Sequence, residues 1–200
     1  GLDELETAVE DVMKNPSSLS REYIQTGNGR FFTDHHMSRY NDSFRRFMLN
    51  SPASQIAAAL LRSEKLNLVD EHLLVKEPGT DVPTYWHHDL PYFEVSWQDF
   101  ASFWIPLDTV TKTNGAMKFA KGSHKWGRIF KPVMIGSGQD AEGAADFDGP
   151  APDIDRDPES YNVELFEMKR GDALFFHAAT LHAAEPNKSA NTRRRALSLR

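Results

Sequence analysis

Residues 84–89 read Thr84-Tyr85-Trp86-His87-His88-Asp89. β-Branched and aromatic side chains lead into the polar triplet, which is the composition of a strand. Side chains of a strand alternate between its two faces, so His87 and Asp89 share one face and His88 takes the other. One imidazole and one carboxylate then converge on a single point. A second imidazole from a remote strand would complete a two-His, one-carboxylate facial triad, the arrangement that holds Fe(II) and leaves positions open for substrate and oxygen. For the triplet by itself, a hydrogen-bonded His–Asp pair at a strand end is the simpler reading.

Working outward, short strands with turn punctuation follow one another from about residue 68. The pattern places them at 73–76, 84–89, 101–107, 116–119, 163–168, 173–177 and 194–199, separated by turns such as Pro78-Gly79-Thr80. Many short strands around one core argue for a sandwich or barrel. With metal ligands on two of them, the jelly roll is the natural choice, giving a mainly β, cupin-like fold with flanking helices. The first seventy residues read mostly helical, as a buttress for the sheet. Residues 2–14 have acids in the first turn and Leu5, Val9, Val12 and Met13 at helical spacing. Ser51-Pro52 is an N-cap followed by proline at the first helical position, opening a helix to about residue 66. We expect one domain over residues 1–200, with a core from 71 onward. Near residues 132–162 a tract rich in Ala, Gly, Asp and Pro is too long for a simple connection, and reads as a solvated insertion or a lid.

The 200 residues suffice for a core without staples, and 40% hydrophobic with 11% aromatic content is ordinary globular material. A formal charge of −6 and a pI near 5.7 give no electrostatic footprint for nucleic acid or an anionic membrane, so a small-molecule substrate is expected. The absence of cysteine excludes disulfides, zinc–thiolate centres and thiol catalysis. No apolar run approaches the ~18 residues of a membrane span and no signal-like start is visible, which favours the cytoplasm. The first residue is Gly and the last five, Ala196 to Arg200, read as a strand cut mid-way. We therefore expect the gene product to extend beyond both ends.

Further segments supply the context. They are Gly171-Asp172-Ala173-Leu174-Phe175-Phe176-His177-Ala178-Ala179-Thr180-Leu181-His182, then Asn187-Lys188-Ser189 and Arg193-Arg194-Arg195-Ala196-Leu197-Ser198. Together with His87-His88-Asp89-Leu90-Pro91-Tyr92-Phe93, Asn114-Gly115-Ala116 and Gly122-Ser123-His124-Lys125, the chain from about residue 73 to 200 resembles the phytanoyl-CoA dioxygenase family of Fe(II)- and 2-oxoglutarate-dependent oxygenases. The segments keep that family's order and spacing. The resemblance implies a double-stranded β-helix, Fe(II) as metal, 2-oxoglutarate as cosubstrate and O2 as oxidant.

It also implies a role for each matching residue. His87, Asp89 and His182 become the metal ligands. His182 is preferred to His177 because the family's ligand is the later histidine, past the strand that begins with Gly-Asp. The far carboxylate of 2-oxoglutarate needs a buried cation, and Arg suits it because its planar fork binds carboxylate bidentately. The family's arginine precedes an Ala and a Ser at alternate positions, which selects Arg194, with Ala196 and Ser198 on its face, over Arg193 and Arg195. A one-residue slip would hand the role to a neighbour. Trp104 and His72 match positions near the cosubstrate, although Trp104 also reads as plain core. Relatives often carry Gly-Ser after the distal His where this chain has Ala183-Ala184, so a hydroxyl contact to the cosubstrate is either missing or supplied elsewhere, with Ser198 as the candidate. His35-His36 and His124 read as structural, since adjacent histidines of a regular element cannot face one site.

Hydroxylation of a small molecule with release of succinate and CO2 is the expected activity. Asp89 argues against halogenating relatives, whose halide needs that ligand position vacant. A cupin-type metal isomerase or lyase would share the barrel, but its closely spaced His-x-His and Glu are absent. A non-catalytic metal-binding domain would keep the fold without turnover, and a serine hydrolase would need a Gly-x-Ser-x-Gly elbow that the chain lacks. Substrate identity and oligomeric state are not legible.

Overall fold

The computed structural model describes residues 1–23, 29–95, 99–141 and 147–200. Among these, the strands are β1 (Arg21–Tyr23), β2 (Phe31–His35), β3 (Glu71–Lys76), β4 (Thr84–His87), β5 (Ala101–Pro106), β6 (Met117–Ala120), β7 (Val163–Phe166), β8 (Leu174–His177), β9 (His182–Ala184) and β10 (Arg194–Leu199). They form two sheets, one in the order β1-β2-β3-β10-β5-β8 and one in the order β4-β9-β6-β7. All pairings are antiparallel. This is the expected jelly roll, built as two packed sheets and not as a closed barrel. The last strand, β10, is inserted between β3 and β5, so the end of the chain forms the middle of the large sheet.

Period-two alternation sorts each central strand of the large sheet into two faces. Leu74, Trp104 and Ala196 point inward and meet Met117, Phe119 and Ala184 from the small sheet. Leu73, Val75, Phe103, Ile105, Leu197 and Leu199 point outward, against Leu5, Val9 and Val12 of helix α1 (Leu2–Lys14) and Phe44 of α2 (Asp42–Asn50). The N-terminal region is thus a helical cover, but it also contributes β1 and β2, which extend the sheet beyond β3. Helix α3 (Ala53–Leu61) starts where Ser51-Pro52 signals and stops short of residue 66, because Arg62 turns left-handed at φ 53°. Helix α2 is capped by Asn41, whose side chain accepts from the N–H groups of Ser43 and Phe44. Phe44 is fully buried, so Phe44→Ala is expected to cost about 3–5 kcal/mol of stability. A denaturant midpoint that falls with an unchanged slope checks this.

The 132–162 tract does more than loop through solvent, although residues 142–146 lie outside the described residues. Phe130 ahead of it and Ile154 within it are buried against Trp86, Leu181 and Ala183 on the outer face of the small sheet. Among the described residues no helix is long and apolar enough to cross a membrane.

Candidate metal centre

β4 and β9 pair so that His87 lies directly opposite His182. Their rings are 4.2 Å apart and inclined at 52°. His87 donates from Nδ1 to the carbonyl of Tyr85 at 2.7 Å, and His182 from Nδ1 to the carbonyl of Thr180 at 2.9 Å. A carbonyl can only accept, so both imidazoles carry their proton on Nδ1 and keep a lone pair on Nε2. Those two Nε2 atoms lie 3.8 and 3.9 Å from Oδ1 of Asp89. One donor atom from each of the three residues falls within 4.8 Å of the others, a set that can hold a metal ion.

Asp89 reaches this point by a route the alternation argument did not foresee. β4 ends at His87, and Asp89 opens a short 3-10 turn with φ −75° and ψ −32°. Its N–H donates to the carbonyl of Ala178 at 2.9 Å. Oδ2 accepts from the Ser102 hydroxyl at 2.5 Å, and Oδ1 from Nη2 of Arg200 at 2.7 Å. Burial pushes its carboxyl pKa up, but Arg200 and His182 outweigh that and hold it far below the usual carboxylate range. Burial, reinforced by His87 nearby, takes His182 down to about 3, and burial lowers His87 as well. The site is an ionised carboxylate with two neutral imidazoles, as divalent metal ligation requires.

His88 faces away, as expected, stacking on Phe130 at 5.4 Å and donating from Nδ1 to the carbonyl of Ala179 at 2.7 Å. Burial lowers it to about 4. A histidine depressed in the folded state binds its proton more readily when unfolded. The unfolded chain therefore takes up protons between the ordinary histidine value, about 6.5, and pH 4, and stability falls with pH across that window. We expect the metal-free protein to lose on the order of 3 kcal/mol from His88 alone between pH 7 and pH 4, and His88→Phe to flatten that part of the curve. Urea midpoints measured across this range read it directly.

The inner face of β10 carries Arg194, Ala196 and Ser198. Arg194 is 1% exposed, and among the described residues its Nε has no partner and Nη1 makes only a long 3.5 Å contact with the Leu74 carbonyl. Desolvation lowers its pKa to about 10. Arg193 and Arg195 point the other way and pair with Glu77 and Glu10, and with Asp108 and Glu6. The basic triplet thus divides into one buried cation and two arginines that each bridge at least two carboxylates. The Arg194 guanidinium sits 5.6 Å over the Trp104 ring. Gly115 makes room for it, since a Cβ there would fall 3.2 Å from Arg194 Nε, and its φ of +105° favours glycine in any case. Lys76 is the direct cross-strand partner of Arg194 and is buried too, donating to the Glu185 carbonyl at 2.9 Å. Desolvation, then Arg194, lowers its pKa well below the usual lysine value. Ser198 pairs with His72 on one side and Trp104 on the other. His72, Trp104, Arg194 and Ser198 line one recess with His87 and His182.

A second cavity, of about 160 Å3, adjoins the same histidine and includes His35, Asp70, His72, Asp89 and Arg200. Tyr92 forms its rim. The Tyr92 hydroxyl donates to the Val133 carbonyl at 2.6 Å and accepts from the Val133 N–H at 2.8 Å, drawing residues 133–135 of the insertion onto the cavity as a wall. His35, Asp70 and His72 also place donor atoms close together. Their imidazoles, however, are stacked 3.9 Å apart at 18°. Imidazole lone pairs lie in the ring plane, so near-parallel rings cannot aim at one ion, whereas the 52° inclination of His87 and His182 lets them converge. His35 therefore is no bystander, but no metal ligand either: its Nδ1 lies 3.0 Å from Asp70 Oδ1. His36 also approaches Asp70, at 3.9 Å. The rule for adjacent histidines of a regular element does not apply here, because β2 ends at His35 and His36 leaves it in a left-handed conformation, φ 55°.

His177 and His124 stack on each other at 5.6 Å. In the same Gly-Ser-His turn, the Ser123 hydroxyl accepts from the N–H of Leu181 at 2.8 Å and so fixes the backbone entering His182. The sequence reading missed Ser102, Asp70, Lys76 and Arg200. Extending the face of Arg194, Ala196 and Ser198 by one period reaches Arg200, and stepping back one period from Trp104 reaches Ser102.

A 27% identical relative, phytanoyl-CoA dioxygenase 1 of Oryza sativa subsp. japonica, aligns over 168 residues, 82% of this chain and 54% of the relative. A probable alpha-ketoglutarate-dependent hypophosphite dioxygenase of Stutzerimonas stutzeri is 27% identical over 68% of this chain and 49% of its own. The chain thus spans about half the length of these curated relatives. Among solved structures, the non-heme alpha ketoglutarate dependent epimerase SnoN from nogalamycin biosynthesis superposes with a TM-score of 0.73 at 24% identity, covering 99% of this chain and 72% of that one. The carbocyclase SnoK from the same biosynthesis gives 0.77 at 21% identity, covering 99% and 73%. Both share the fold. The family model for phytanoyl-CoA dioxygenase (PhyH) matches residues 2–196, so the likeness carried by residues 73–200 extends over the N-terminal helices, and the chain belongs to that family.

Proposed function

We propose that this protein is a non-heme Fe(II)- and 2-oxoglutarate-dependent dioxygenase acting on a small molecule. His87, Asp89 and His182 hold the metal, and Arg194 holds the far carboxylate of 2-oxoglutarate. The observation that carries this reading is the conjunction of three converging donors with a buried, unpaired guanidinium lining the same recess. An unpaired charge in the interior is costly, and a dicarboxylate that chelates a metal at one end supplies the missing counter-charge at the other. When bound, iron and 2-oxoglutarate supply oxidation of a substrate C–H bond by O2, with succinate and CO2 released.

The chain's own residues prepare that chemistry. The two Nδ1–H tautomers keep both Nε2 lone pairs available. Lys76 packs behind Arg194 and is tied to the Glu185 carbonyl, and Trp104 floors the recess. His72 Nε2 is buried without a partner and faces both cavities, which suits a donor to cosubstrate or substrate. Phe176, Met117 and Ile135 dry the walls and limit water at the oxidising centre. The 160 Å3 cavity beside the triad receives the substrate, with Tyr92, Phe93, Met134 and Ile135 as its apolar side. SnoN and SnoK serve nogalamycin biosynthesis, which supports a small-molecule substrate here. Hydroxylation is the outcome we assign.

The test is anaerobic addition of Fe(II) and 2-oxoglutarate to the metal-free protein. A weak visible charge-transfer band, followed by succinate formation once oxygen and a substrate are admitted, is expected. A well-folded protein without the band overturns the 2-oxoglutarate reading and brings forward a cupin-like or non-catalytic metal domain.

A further inference from the structure

Asp89 has more partners than a metal ligand needs, and they lead away from the site in an ordered chain. The Arg200 guanidinium is a fork between two buried carboxylates, with Nη2 on Asp89 Oδ1 at 2.7 Å and Nη1 on Asp70 Oδ2 at 3.0 Å. Asp70 Oδ1 in turn lies 3.0 Å from His35 Nδ1, and the His35 ring is stacked on His72. On the far side, Ser102 donates to Asp89 Oδ2 at 2.5 Å. Every group named is buried except Arg200 and His35, which are partly so.

A carboxylate offers about four lone-pair sites, two on each oxygen. Arg200 occupies one on Oδ1 and Ser102 one on Oδ2, which fixes the plane of the group. Oδ1 is left as the oxygen that faces Nε2 of both His87 and His182, at 3.8 and 3.9 Å. A carboxylate free to rotate could present both oxygens and fill a second coordination position. A pinned one presents a single oxygen and keeps the opposite side clear for a chelating cosubstrate.

We propose that Arg200 is a positioning residue that confines Asp89 to one-oxygen ligation and holds that oxygen where the metal needs it, with Asp70 and His35 keeping Arg200 in place. This rests on the triad reading above. A guanidinium is needed because its planar fork spans two carboxylates, which a point-charge ammonium cannot do. His35 and Asp70 also line the substrate cavity, so the chain connects that wall to the metal ligand through two hydrogen bonds from Asp70 and three from His35.

The experiment is Co(II) titration of the metal-free protein, read by affinity and by the visible d–d spectrum, for wild type, Arg200→Gln, Arg200→Lys, Asp70→Asn and His182→Ala. Thermal midpoints of the metal-free forms are taken alongside. Arg200→Gln is expected to weaken Co(II) binding by about 10–100-fold and to shift the spectrum as the second oxygen turns inward. Arg200→Lys restores part of the affinity, and Asp70→Asn falls between wild type and Arg200→Gln. Wild-type affinity and spectrum in Arg200→Gln overturn the proposal. So does equal weakening in the Gln and Lys variants that tracks a fall in thermal midpoint, the mark of a merely structural ion pair. Undiminished Co(II) binding by His182→Ala overturns the triad reading itself, and the proposal with it.

Discussion

His182→Ala is expected to give a folded protein that no longer retains the metal and shows no charge-transfer band with Fe(II) and 2-oxoglutarate. Four-ligand structural zinc sites are worth about 10–16 kcal/mol, or roughly 3–4 kcal/mol per ligand, so losing one of three ligands should weaken metal binding by roughly 10²–10³-fold. Succinate formation should fall below detection at micromolar iron. The fold should survive because His182 sits at the start of a short strand whose register with β4 and β6 is carried by backbone pairing. The neighbouring choice, His177, stacks on His124, and its Nδ1 accepts from the Ala179 N–H at 3.0 Å. His177→Ala should therefore keep the band. A band surviving in His182→Ala, or vanishing only in His177→Ala, would show that the distal ligand had been misassigned.

The second large effect concerns Arg194, and it has two parts of opposite sign. Truncating one member of a buried charge pair typically costs about 2–5 kcal/mol, so Arg194→Met should weaken 2-oxoglutarate binding roughly 30- to 5000-fold. The metal alone should still bind. In the absence of cosubstrate the same substitution removes an unpaired cation from the interior and fills its place with an apolar chain of similar length. We expect the ligand-free protein to gain about 1–2 kcal/mol, or some 2–8 °C in thermal midpoint. A structural arginine would give the reverse. Isothermal titration with 2-oxoglutarate and a thermal melt without it, on the same pair of proteins, settle the matter. A lowered midpoint with unchanged affinity would assign Arg194 to the fold alone.

The two residues differ in how they could be found. His182 required a comparison of order and spacing, because nothing local separates it from His177. Arg194 was selected by the family's Arg, Ala and Ser at alternate positions, and β10 is regular enough that Arg194, Ala196 and Ser198 do share one face. Ser198 came with that register, Trp104 and His72 with matches to family positions, and the three fall in one cross-strand row. The count of alternate positions failed at Asp89, where β4 gives way to a 3-10 turn. That turn, and not the alternation of a strand, brings Asp89 Oδ1 to 3.8 and 3.9 Å from the two imidazole Nε2 atoms. The count does not reach His35-His36, where a left-handed residue beyond the strand lets both rings approach Asp70.

Patterning within the chain determined the class of fold, the two faces of each strand of the large sheet, and the residue types able to hold a metal. These follow from period-two alternation and from side-chain chemistry, which act over a few residues and are written locally. Only the tertiary structure decided which distant groups meet. It set His87 opposite His182, Lys76 opposite Arg194, and the Arg200 fork between Asp70 and Asp89. Strand order and register depend on how two sheets pack and on where β10 inserts, and those are properties of the whole core that no short segment carries.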